Sequence, residues 1–116
     1  MRSQPVPEVT RADVERVLRR DFPEDSFAAA LSLLDEYHAG SGPPSARVQL
    51  AVLKLAEGDL AALKRFIEDA KADHRDVIGW AEYPEYRRRV SGLDQSSEAD
   101  QIIETDWKQY QAWLAR

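Results

Sequence analysis

The stretch Ser45-Ala46-Arg47-Val48-Gln49-Leu50-Ala51-Val52-Leu53-Lys54-Leu55-Ala56-Glu57-Gly58-Asp59-Leu60 decides the fold. Val48, Leu50, Ala51, Val52, Leu53 and Leu55 cover nearly every side of a helix, and they do not alternate as a half-buried strand would. A helix that is apolar almost all round belongs in the middle of a bundle. Ser45 can cap this helix, which should reach about Glu57. Gly58-Asp59 ends it and caps the next one, whose inner face is Leu60, Leu63, Phe66, Ile67 and Ala70. So short a connection makes the two helices spatial neighbours, an antiparallel hairpin.

Upstream, Pro5 and Pro7 mark residues 1–9 as an extended or frayed leader, flexible at the start of a single helical domain over 10–116. Thr10 with Asp13 opens a helix over Arg11 to Arg20, with Val14, Val17 and Leu18 on one face. Pro23 interrupts the pattern, and Pro23-Glu24-Asp25 has the composition of a new first turn. Phe27, Leu31 and Leu34 continue that helix toward a cap at Gly40, and Ser41-Gly42-Pro43-Pro44 is a loop.

Downstream, Asp73 caps a shorter helix carrying Val77, Ile78, Trp80 and Ala81, with one or two further turns possible after Pro84. Ser91 to Ser96 reads as a linker. Ser97 and Asp100 open a last helix over 97–115 whose stripe is Ile103, Trp107, Tyr110 and Leu114. Trp113 falls off that stripe. With no strand or hairpin signal, the expectation is an all-α compact bundle of five to six helices with antiparallel helical hairpins.

Composition narrows the function classes. The chain has 116 residues, 43% of them hydrophobic, enough for one core without staples. It has no cysteine, which removes disulfides, thiolate metal sites and thiol catalysis. Neither a signal-length apolar run nor a spanning segment is present, so a cytoplasmic protein with no membrane partner is expected. The net charge is −5, with 7 basic against 9 acidic residues through Gly58 and 9 against 12 after it. Neither part carries the basic footprint that a phosphate backbone requires, which argues against nucleic acid.

The chemistry-bearing residues are few. His38 and His74 are the only histidines, near Asp35, Asp69 and Asp73, and could contribute to a metal site. Neither an HExxH nor a Glu-x-x-His pattern accompanies them, so the bland reading, caps and surface, is preferred and no metal or other cofactor is expected. Serines sit in caps and loops, outside any nucleophile elbow, and the five glycines form no phosphate loop. Asp35-Glu36 and Glu24-Asp25 lie at helix ends, where solvated charge is the ordinary role.

Trp80-Ala81-Glu82-Tyr83-Pro84-Glu85-Tyr86 followed by Arg87, Arg88 and Arg89 is the richest stretch. Aromatics with arginine are the types enriched in interface hot spots, so Trp80, Tyr83, Tyr86, Arg87, Arg88 and Arg89 are the candidate partner-binding residues. The competing reading closes the core with Trp80 and a tyrosine and pairs the arginines with nearby acids. The last helix, with Trp113 and Ile102 beside its stripe, could instead join two copies in a homodimer.

Ala46-Arg47-Val48-Gln49-Leu50, Leu55-Ala56-Glu57-Gly58-Asp59-Leu60, Asp76-Val77 and Ala81-Glu82-Tyr83-Pro84 together resemble a group of small uncharacterised bacterial helical proteins, over about residues 45–86. The resemblance implies a bacterial, helical, single-domain protein and brings no activity, cofactor or site residue. The expected function is a non-enzymatic protein-interaction role, accessory or immunity-like, with an unidentified protein partner. The alternatives are a metal-binding domain or small helical enzyme using His38 and His74, and a homodimeric scaffold.

Overall fold

The computed structural model describes residues 5–37, 44–89 and 97–116, with only the backbone of 97 and 98. Among the described residues the chain forms seven α-helices and no strand. They are α1 (Arg11–Asp21), α2 (Phe27–Asp35), α3 (Ser45–Ala56), α4 (Leu60–Ala72), α5 (His74–Glu82), α6 (Pro84–Arg89) and α7 (Ser97–Ala115). A 3₁₀ turn, Glu24–Ser26, leads into α2, because Pro23 stops α1 and its extended backbone restarts the chain. The sixth helix is the short piece after Pro84, and it raises the helix number above the expected range. The Gly40 cap and the 91–96 linker lie outside the described residues.

The all-round apolar helix is the central one. Val48, Leu50, Ala51, Val52 and Leu53 are fully buried, and α1, α4 and α5 pack around α3. Each of the buried valines and leucines contributes roughly 1.5–3 kcal/mol by leaving water. The hairpin of α3 and α4 turns on two successive residues with positive φ, Glu57 at 51° and Gly58 at 79°. Asp59 then caps α4, accepting from the backbone N–H groups of Ala61 (2.9 Å) and Ala62 (3.2 Å).

Polar ties fix the outer helices to this centre. Gln49, buried on α3, donates to the Leu34 carbonyl of α2 at 3.0 Å and accepts from Arg11 of α1 at 3.3 Å. Asp35 and Glu36, paired carboxylates in the sequence, serve as separate struts, to Arg11 (2.9 Å) and to Lys71 (3.1 Å). Arg20 of α1 donates to the carbonyls of Trp113 (2.9 Å) and Arg116 (3.1 Å), closing the end of α7, and its guanidinium stacks over the Trp113 ring at 5.3 Å.

Helix α7 is rotated from its expected setting. Ala99, Ile103, Asp106, Tyr110 and Trp113 face inward, whereas Trp107 and Leu114 are half-buried. Trp113, placed off the stripe by the sequence pattern, is 8% exposed and packs on Tyr110 with ring centroids 5.5 Å apart. The reason is Asp106, whose carboxylate accepts from the backbone N–H groups of Tyr86 (2.8 Å) and Glu85 (3.3 Å) in the first turn of α6. Those N–H groups have no intrahelical acceptor, so α6 takes its cap from another helix. Seating that cap turns α7 inward at 106 and brings 113 with it.

The proline leader is held where it is described. Pro7 is buried, and the Tyr83 hydroxyl donates to the Pro5 carbonyl at 2.6 Å. Among the described residues no helix is long and apolar enough to cross a membrane.

Candidate interaction surface

Helices α4 and α5 are separated by one residue. Asp73 donates its backbone N–H to the Asp69 carbonyl at the end of α4 and caps α5, its carboxylate accepting from the Arg75 backbone N–H at 3.0 Å. The fold between the two helices leaves an open groove of about 380 Å³ lined by Leu55, Phe66, Asp69, Ala72, Asp73, Asp76, Val77 and Trp80. Its floor is apolar and its rim carries three aspartates. Trp80 is 46% exposed, an unusual outlay for an indole in a small domain.

Trp80 is held from behind by Arg87 of α6. The Arg87 guanidinium lies 5.6 Å from the indole centroid, donates to the Arg75 carbonyl at 3.1 Å and pairs with Asp76. It reaches there because α5 has glycine at 79. A Cβ at that position would lie 2.7 Å from Arg87 Cδ, inside contact distance. The indole is therefore braced on one face and open toward the groove.

The six residues grouped by the sequence do not form one patch. Trp80 and Arg87 come together. Tyr83 points inward, 3% exposed, with its hydroxyl on Pro5. Tyr86 is half-buried and anchors α6 through its backbone to Asp106. Arg88 pairs with Glu85 at 2.6 Å, and Arg89 borders a separate groove of about 360 Å³ with Glu85, Gln101, Ile102 and Thr105. His74 is the first residue of α5, half-buried, and His38 lies outside the described residues. Among the described residues no three His, Asp or Glu side chains gather into a metal-binding group.

The sequence reading missed a buried polar cluster. Glu82 is fully buried and receives Arg47 in a two-pronged contact, Nε to Oε2 and Nη2 to Oε1, both 2.9 Å. The Tyr110 hydroxyl is buried without a hydrogen-bond partner among the described residues, and burial drives its pKa up, away from any role in proton transfer near neutrality. Asp106, 1% exposed, is likewise pushed up by burial, against the downward pull of its two N–H donors. Glu82 and Asp106 are enclosed and bonded to the fold, and the Tyr110 hydroxyl is enclosed with them. The one legible sign was position: Glu82 and Asp106 each share a helical face with core residues, Ile78 and Ile103.

Asp106 carries a pH signature. The folded state holds its proton more tightly than the unfolded chain, so its contribution to stability grows as pH falls through the raised pKa and levels off below the ordinary carboxylate value. Urea midpoints measured across that range should therefore favour the parent chain over Asp106→Asn increasingly toward acid. A constant gap would show that Asp106 does not titrate as a buried acid.

A larger groove, about 650 Å³, lies where α1, α3 and α7 end, bordered by Lys54, Glu57, Gln109, Trp113 and Arg116. Burial lowers the Lys54 pKa. Its cations sit at the C-terminal ends of α3 and α7, where they complement helix carbonyls. Comparison with known protein families, curated proteins and solved structures finds no match for the chain.

Proposed function

We propose that this chain is a non-enzymatic interaction domain, an accessory or immunity-like factor of the bacterial cytoplasm that binds another protein through the Trp80 surface. The observation that carries the reading is Trp80 itself, an indole braced by Arg87 and left half open over an apolar groove. Exposed aromatics in a concave apolar setting are what binding energy concentrates on. The buried acids support a non-enzymatic role, because Glu82 and Asp106 are occupied in holding helices together. Photo-crosslinking tests it. With p-benzoylphenylalanine at Ala72, which borders the groove, a discrete protein adduct is expected in host cells; it should vanish on adding Trp80→Ala and be absent with the crosslinker at Lys108 on α7. An adduct indifferent to Trp80→Ala, or none from Ala72, would overturn the reading.

A further inference from the structure

We infer that the groove between α4 and α5 receives a basic amphipathic helix of the partner, its apolar face on Phe66, Val77 and Trp80 and a lysine or arginine against Asp69. The inference rests on the interaction reading above and adds the chemistry of the occupant.

Three facts lead to it. First, the described residues contain no strand and hence no sheet edge to extend, and a trough between two helices suits a helix laid along it. Second, the rim is acidic in an acidic chain: Asp69, Asp73 and Asp76 border the floor, and the net charge is −5. Third, two of the three carboxylates are already engaged, Asp73 by Arg75 at 3.0 Å and Asp76 by Arg87. Asp69 has no ion pair among the described residues, although Arg65 is one turn away on α4. That guanidinium lies over the Phe66 ring instead, 5.0 Å from its centroid. An uncharged apolar segment covering the groove would strip part of the hydration of the exposed Asp69 carboxylate and give it no partner. A segment bringing its own cation supplies the missing partner for that carboxylate. The apolar floor chooses an amphipathic face, and the unmatched carboxylate chooses the sign of its charge.

The probe is a synthetic Leu–Lys amphipathic peptide of about five helical turns, with a Leu–Glu peptide of the same pattern as its opposite. Titrated into the ¹⁵N-labelled chain, the Leu–Lys peptide should shift the amides of Phe66, Asp69 and Val77 and the Trp80 indole N–H. Trp80→Ala and Asp69→Lys should each weaken it about tenfold, and Asp69→Lys should turn the preference toward Leu–Glu. Glu104→Lys, the same charge change on α7, should leave affinity unchanged; circular dichroism establishes that each variant is folded. Equal binding of the two peptides in the groove would overturn the basic occupant while leaving the Trp80 reading standing. Shifts outside the groove, or an equal loss in Glu104→Lys, would also overturn it, by showing attraction to net charge alone. A Trp80-dependent dimer of the chain in sedimentation velocity would replace the partner helix with a second copy. Failure of the Ala72 crosslink, by contrast, would remove the interaction reading itself.

Discussion

Arg47→Ala should cost about 3–5 kcal/mol of folding stability, because it strands the Glu82 carboxylate in the interior. Both Glu82 oxygens are held by the same guanidinium at 2.9 Å, and the residue is fully buried where α3 meets α5. Removing the cation leaves a buried acid without its guanidinium, near the Tyr110 hydroxyl, which has no hydrogen-bond partner among the described residues. Replacing both partners has the opposite logic. Arg47→Met combined with Glu82→Leu should return urea stability to the parent level or above, since the desolvation of two charges disappears with them. The pair would then be a device for register between α3 and α5 rather than a net source of stability. A loss below about 1 kcal/mol in Arg47→Ala would place the pair with ordinary surface bridges and contradict its burial.

The second large effect belongs to the α3–α4 turn. A Cβ at Gly58 would stand 2.6 Å from the Asp21 carbonyl oxygen, on a residue with φ of 79°. Gly58→Ala therefore meets left-handed backbone strain of roughly 1–2 kcal/mol and a contact with main chain that cannot rotate away. Overpacking of that kind adds about 1–3 kcal/mol, so the thermal midpoint should fall by many degrees. Its neighbour supplies the control. Glu57 adopts φ of 51° with a full side chain, and Glu57→Gly should be neutral or stabilising by up to about 1 kcal/mol. If chain entropy rather than the Asp21 contact governed the turn, the signs would reverse, with Gly58→Ala stabilising and Glu57→Gly destabilising.

Much of the fold was legible because its signals are local. The helix of Val48 to Leu55 could only be central, and Gly58-Asp59 and Asp73 marked helix junctions where the structure has them. The errors lie where one helix answers a need of another. Asp106 looks polar and outward in the 103, 107, 110, 114 pattern, yet it caps α6, so the buried set is 103, 106, 110, 113. Tyr83 looked like a surface aromatic because its acceptor is Pro5, far away in the chain. Of the groove lining, Trp80 stands out in the sequence by residue type alone. Its groove does not, since Leu55 and Phe66 belong to other helices and read as core. Nor could the brace be read, because the place of Arg87 depends on the missing side chain at Gly79.

The six residues of α6 are too few to hold a helix in water by themselves. They persist because Asp106 of α7 supplies the acceptors for their first turn and Gly79 of α5 leaves a berth for Arg87. The two C-terminal helices should therefore open together, and hydrogen exchange is expected to show shared protection for the amides of α6 and the middle of α7. When that unit opens, Arg87 leaves with it, and the indole of Trp80 loses its backing. The setting of Trp80 is in this way tied to α7, through the Asp106 cap on α6 and the reach of Arg87.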